Sequence, residues 1–194
     1  GFRDQLQDSL AALWLDPIIT CRQIQRCCTA QFTEGDVLHW WHRLPVTAEG
    51  GGMRGVRTRC SDDLAWLPYV TAEYVRFTGN ASLLDVQVNW LTGAVLTDDE
   101  QERYFEPGHT THRDSVYTHC IRALDKAATK GAHGLPLMGS GDWNDGMNRL
   151  GEEGRGESVW LAMFLAIVLD AFAPLCAARQ DGEREQQYRA MAEA

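Results

Sequence analysis

The stretch SDDLAWLPYVTAEYVRFTG, Ser61 to Gly79, decides how this chain is read. Leu64, Leu67, Val70, Tyr74 and Phe77 recur at the spacing of an α-helix with one apolar face. Ser61-Asp62-Asp63 stands before that face as a capping cluster, and Gly79 follows it as a stop. The same grammar continues outward on both sides. Leu6, Leu10, Leu13 and Trp14 share a face, and Asp16-Pro17 offers an N-cap and a first-turn proline for a helix running to about Phe32. Downstream, Ser82 to Trp90 reads as a shorter helix. Asp114 to Gly131 follows, with Val116, Cys120, Ile121 and Leu124 inward. Glu157 to about Ala178 is the most apolar helix, and Arg184 to Ala194 is the last. No segment sustains strand alternation with β-branched side chains, although the loops leave room for short strands. The expected fold is all-α, a toroid or bundle, with long loops at Gly35–Arg59, Thr92–Arg113 and Gly134–Gly156 gathered at one rim.

The composition fits one sizeable domain. Of 194 residues, 44% are hydrophobic and 23% charged, which supports a core and excludes a disordered chain. The net charge of -9 excludes a broad nucleic-acid footprint, because a polyphosphate backbone wants a basic face. The apolar run Val159 to Leu169 meets Asp170 and reads as a buried helix, not a membrane span. No signal peptide is read. The chain begins at Gly1 and stops inside a helix at Ala194, as expected for a segment of a longer protein. The cysteines include the adjacent pair Cys27 and Cys28 and form no CxxC, so they read as reduced, mostly buried thiols.

Four groups of residues could carry chemistry. Gly141-Asp142-Trp143-Asn144-Asp145-Gly146 sets two carboxylates around a tryptophan and an amide. Glycosidic chemistry uses such parts: an acid to protonate the leaving oxygen, an aromatic face to stack a pyranose and amides to hold hydroxyls. Burial beside Trp143 would raise a carboxyl toward the range of a general acid. The same residues also make a plain turn, and both readings stand. They lack the closing glutamate of a calcium loop. Arg54, Arg57 and Arg59 before Asp62 and Asp63 form either a sugar or phosphate clamp or a set of helix-capping ion pairs. His39-Trp40-Trp41-His42 and His109-x-x-His112 would make a zinc site only if both pairs met, and no metal is assigned. Arg3 and Asp4 pair either with a ligand or with each other. Gly50-Gly51-Gly52 lacks the context of a phosphate loop, and no Gly-x-Ser-x-Gly elbow occurs.

Several long motifs resemble one family, in order. They are Gly1-Phe2-Arg3-Asp4-Gln5-Leu6-Gln7-Asp8, Gln31-Phe32-Thr33-Glu34-Gly35-Asp36, His39-Trp40-Trp41-His42 and Arg57-Thr58-Arg59-Cys60-Ser61-Asp62-Asp63. Gly141-Asp142-Trp143-Asn144-Asp145-Gly146-Met147-Asn148 and Gly154-Arg155-Gly156-Glu157-Ser158 complete the set. Together they resemble the phosphorylase-like C-terminal region of bacterial cyclic β-1,2-glucan synthases, grouped with the cellobiose and chitobiose phosphorylases of glycoside hydrolase family 94.

The resemblance implies an (α/α)6 barrel, of which residues 1–194 supply about half. It also implies an inverting phosphorolysis of β-1,2-glucan giving glucose 1-phosphate. Asp145 matches the general acid and Trp143 the sugar-contacting tryptophan. Arg57 and Asp63 match the pair holding the non-reducing glucosyl unit, with Arg59 and Asp62 as neighbouring alternatives. The expected partners are a β-glucan oligosaccharide, inorganic phosphate as co-substrate with no other cofactor, and the remainder of the parent chain. The phosphate-holding histidine and Thr-Gly pair are expected beyond residue 194. An open half-barrel would expose apolar surface for self-association. The resemblance places the domain on the cytoplasmic face of an inner-membrane synthase. Two other readings remain: a hydrolase of the same fold, with Asp63 or Glu157 as base, and a non-catalytic carbohydrate-binding or structural domain.

Overall fold

The computed structural model describes residues 1–45 and 52–194. Gly50 and Gly51 of the glycine triplet lie outside them. Two helices open the chain, α1 (Phe2–Ala12) and α2 (Pro17–Cys28). Asp16 caps α2 as its sequence suggests, accepting a 3.1 Å bond from the Ile18 amide ahead of the first-turn proline. Four further helices follow: α3 (Asp63–Thr78), α4 (Val116–Ala127), α5 (Val159–Ala178) and α6 (Gly182–Glu193). Ser115 and Ser158 cap α4 and α5, and Gly79 ends α3 at a φ of 70°. Asp62 occupies the N-cap position of α3, but its side chain makes no capping bond and is used elsewhere.

One apolar core joins these helices. Phe2 and Leu6 of α1, Ile24 of α2, Leu67 and Val70 of α3, Leu124 of α4 and Phe172 of α5 are all buried in it. The helix α5 is long and apolar enough to cross a membrane by length and composition alone. Its Leu165, Val168, Leu169 and Phe172 are core residues, whereas Val159, Met163 and Ile167 on its other face are exposed.

The expectation of an all-α half-barrel is overturned. Of the described residues, 48% are helical and 20% lie in antiparallel sheet strands, a mixed α/β arrangement. Strands β1 (Leu38–Arg43), β2 (Met53–Thr58) and β4 (Glu102–Phe105) form an antiparallel sheet in the order β1-β2-β4. Strands β3 (Gln87–Thr92) and β5 (Gly108–Ser115) form a second antiparallel pair. The segment Ser82–Trp90, read as a helix, is instead a 3₁₀ turn over Ala81–Asp85 leading into β3. Val86-Gln87-Val88-Asn89-Trp90 does alternate at period two, and Val88 and Trp90 are buried.

The other strands evaded the sequence reading because they are short and carry Arg, His, Trp and Thr in place of an apolar run. They are held from outside. Phe32, Leu38 and Leu91 form a small second core with Phe105, which stacks on Phe32 at 6.0 Å. Buried Trp90 lies flat on His119, 3.6 Å between ring centres, and donates to Asp114 at 2.9 Å.

Candidate active site

The chain leaves β2 through Arg59-Cys60-Ser61 and enters α3 at Asp63. The irregular segment after α4 is laid across that turn. Cys60 and Gly139 form an antiparallel bridge, Ser140 N–H donates to Arg59 O at 3.2 Å, and Ser61 N–H donates to Gly141 O at 3.0 Å. Gly139 sits at a φ of 67°, and a Cβ there would fall 1.9 Å from Arg59 O, so only glycine permits this approach.

Asp142 then anchors the loop from inside. Its buried carboxylate accepts from the Asn144 amide at 2.8 Å and from the Ser158 hydroxyl, the same hydroxyl that caps α5. The first aspartate of the motif is thus a loop anchor, and the second, Asp145, is left 79% exposed at the mouth of a cleft. The expected burial of this acid against Trp143 does not occur. Trp143 is half-exposed and stacks on Trp160 of α5 at 6.0 Å, outside the cleft lining.

Arg3, from the first turn of α1, organises the floor. Its side chain is 7% exposed. Nη1 donates to both oxygens of Asp62, at 3.0 and 3.2 Å, and to Asp142 O at 2.9 Å, while Nη2 donates to Asp145 Oδ1. Asp62 also accepts from Trp66 Nε1 at 3.1 Å and Cys60 Sγ at 3.2 Å. Burial pushes the Asp62 carboxyl up, to about 6, with adjacent Asp63 adding to the rise against the pull of Arg3. Asp63 is equally buried and meets His39 Nδ1 at 2.7 Å, leaving its Oδ1 without a partner. That hydrogen bond raises the His39 imidazole above its ordinary value against the opposing effect of burial. Burial and the two neighbouring carboxylates hold the Cys60 thiol well above the usual range.

His39, Cys60, Asp145, Asn148 and Arg149 line a cleft of about 440 Å³. A larger cavity of about 520 Å³ adjoins it and shares Thr58, Cys60, Gln101 and Glu152. The larger one lacks His39, Asp142 and Asp145, which line the smaller.

The remaining candidates divide clearly. Asp62, Asp63 and Asp145 come together around Arg3. Arg57 is buried elsewhere with all five N–H donors used: two to Asp36 at 2.6 and 2.7 Å, one to Glu34 at 3.0 Å, and two to Gly93 O and Ala94 O. Its guanidinium also lies 3.9 Å from the centre of the Phe32 ring. Arg59 points to the loop carbonyls of Thr97 and Glu100 at 2.8 and 2.9 Å. Glu157 is taken up by His133 at 2.8 Å. The two His pairs do not meet: His42 bonds Tyr104 and His112 bonds Asp114. Arg3 is the residue the sequence reading left undecided. A charge beside Phe2 on the stripe leading to Leu6 was the available signal, since such a residue is buried only when paired.

Comparison with known proteins agrees with the motif pattern. The chain is 48% identical over 185 residues to the cyclic beta-(1,2)-glucan synthase NdvB of Rhizobium meliloti (strain 1021), covering 95% of this chain and 6% of that protein. It is 29% identical to the 3-O-beta-D-glucopyranosyl-beta-D-glucuronide phosphorylase of Paenibacillus borealis, covering 98% of this chain and 22% of that one. It is 26% identical to the N,N'-diacetylchitobiose phosphorylase of Vibrio furnissii, covering 99% and 24%. The chain therefore spans less than a quarter of the length of these relatives. With the sequence model of that family matched along residues 1–194, the chain belongs to the Glycosyl hydrolase 94 superfamily, catalytic domain.

Proposed function

We propose that this chain carries the acid half of an inverting glycoside phosphorylase site acting on β-1,2-linked glucan. Phosphate oxygen attacks the anomeric carbon from the face opposite the leaving group, and Asp145 gives its proton to the departing glycosidic oxygen. Inversion converts the β-linkage into α-glucose 1-phosphate and frees a shortened glucan. The observation that supports this reading is the placing of Asp145 at the cleft mouth, tethered to Arg3 above buried Asp62 and Asp63.

Each group then has a task. Arg3 aims the acid and releases it when the sugar takes its place. Asp63 and His39 hold glucosyl hydroxyls at the floor, and Trp143 meets the glucan beyond the cleft. Phosphate is already an anion, so it needs no second carboxylate to activate it. Its holding groups belong to the remainder of the protein, as does the placement at the cytoplasmic face of a membrane synthase.

The test is release of glucose 1-phosphate from linear β-1,2-glucooligosaccharides and inorganic phosphate by the purified full-length protein, which includes the phosphate-holding groups. Asp145→Asn is expected to lower the rate by about 10²- to 10⁴-fold with sugar binding retained. An unchanged rate removes Asp145 from the mechanism. Reducing sugar formed without phosphate makes the protein a hydrolase, with Asp63 as base, since Glu157 is occupied by His133. Binding with no turnover leaves the carbohydrate-binding reading.

A further inference from the structure

We infer that the outer face of the β1-β2-β4 sheet is a second carbohydrate site, an aromatic platform that takes glucan units lying beyond the cleft. The inference rests on the reading of the cleft as a glucan site. Trp40 and His42 of β1, Arg54 and Val56 of β2 and Tyr104 of β4 share that face, because Trp40 pairs with Val56, His42 with Arg54, and Val56 with Tyr104. The opposite face carries Leu38 and Phe105 into the small core around Phe32. A bulge between Leu38 and Trp40 sets the division, turning His39 to the cleft and Trp40 outward.

Trp40 and Tyr104 lean together across β2. Their ring centres are 5.4 Å apart over Val56, which is 5% exposed although it belongs to neither core. His42 extends the surface, 6.4 Å from Trp40 and 6.2 Å from Tyr104, and its Nε2 meets the Tyr104 hydroxyl at 2.6 Å. The three ring planes are inclined to one another by 23°, 29° and 32°. Trp40 and Tyr104 are nevertheless 41% and 50% exposed, so fixed aromatic faces meet the solvent. Trp143 stands apart from this surface, stacked on Trp160.

The chemistry selects the ligand. The C–H face of a pyranose lies against the electron-rich face of an aromatic ring, and its hydroxyls bond groups on the rim. That rim is His42, the Tyr104 hydroxyl and the Arg54–Glu106 pair, which meets at 3.6 Å. Paired charges suit a neutral polyhydroxyl chain and offer no basic face to a polyphosphate. Position selects it too. Two residues along the same face, about 7 Å on, Thr58 and Glu102 pair with each other and line the 440 Å³ cleft. Platform and cleft are successive parts of one surface, and a glucan whose end lies in the cleft runs onto the rings.

The experiment is hydroxyl-radical footprinting of the purified full-length protein, read by mass spectrometry in the absence of phosphate. Trp40 and Tyr104 are expected to be oxidised in the free protein. A long linear β-1,2-glucan suppresses their labelling, and the β-1,2-linked disaccharide does not. In rate measurements, Trp40→Ala raises KM for the long glucan about tenfold more than KM for the disaccharide, the loss of one packed anchor. Trp14→Ala, at an exposed tryptophan in the turn between α1 and α2, shifts neither. Rings that are unreactive in the free protein mean that another part of it or a second copy covers the face. Rings labelled equally with and without the long glucan mean that no glucan sits there, and either result overturns the proposal. The footprint involves no turnover, so failure of the phosphorolytic reading shows separately, as absence of glucose 1-phosphate.

Discussion

Arg3 and Asp62 are 59 positions apart in the chain and meet in its interior, with Nη1 at 3.0 Å from one carboxylate oxygen and 3.2 Å from the other. Through this contact α1 grips the start of α3, and through Nη2 the same guanidinium holds the loop that presents Asp145. One buried cation thus ties two helices and the loop of Asp145 together. Arg3→Met is expected to destabilise the protein by about 3–5 kcal/mol, because it strands a buried carboxylate. Arg3→Met combined with Asp62→Leu should lose less than the sum of the singles. Urea denaturation of the three variants checks this, and additive losses would mean that the two side chains are not coupled.

Gly139 and Gly134 both have positive φ, 67° and 84°, but differ in surroundings. A Cβ at Gly134 meets nothing within 4 Å, whereas one at Gly139 runs into Arg59 O. Gly134→Ala is expected to cost about 1 kcal/mol, the intrinsic strain of a left-handed residue. Gly139→Ala should cost more and also lower turnover, since it lifts the loop carrying Asp145. Thermal melts with parallel rate measurements separate the two, and equal effects would refute the close approach.

Arg57 is fully buried, and each of its donors has a partner. Lysine offers fewer donors and no plane to lie on Phe32. Arg57→Lys is expected to lower stability by roughly 2 kcal/mol or more, from buried acceptors left unpaired. At temperatures well below melting, KM for the glucan should stay within about threefold of wild type, as residues outside the binding surface allow. A large rise in KM at unchanged stability would return Arg57 to the sugar site.

His119 is buried between Trp90 and Gln31, and burial lowers its pKa to about 4 from the ordinary 6.5. In the unfolded chain it binds a proton that the folded state refuses. Its contribution is therefore intact above pH 6.5 and is lost as pH falls toward 4, by up to about 3 kcal/mol. Asp62, raised to about 6, acts with the opposite sign over much of that window, disfavouring the folded state as it ionises. The comparison of wild type with His119→Gln in urea at pH 7 and pH 4.5 isolates the histidine. The variant should show the weaker loss on acidification, and parallel losses would refute the assignment.

Helix ends were largely readable in this chain because their signals are local. Asp16-Pro17 and Gly79 act on amides and carbonyls within a few positions, whatever the rest of the molecule does. The apolar faces of α3, α4 and α5 were readable for the same reason, since one helical period places those side chains together. The family motifs, too, brought Asp62, Asp63 and Asp145 forward.

Strands such as His39-Trp40-Trp41-His42 and Gly108–Ser115 carry little pattern of their own. Their pairing comes from backbone bonds to distant segments and from caps such as Phe32 on Phe105. The roles of the buried arginines were hidden in the same way. Arg57 and Arg3 are both charges that must find partners on burial, and the chain order alone does not say which carboxylates they reach. Folding brings Asp36 to the one and Asp62 to the other, because a buried charge is tolerated only where the tertiary structure supplies its counter-charge.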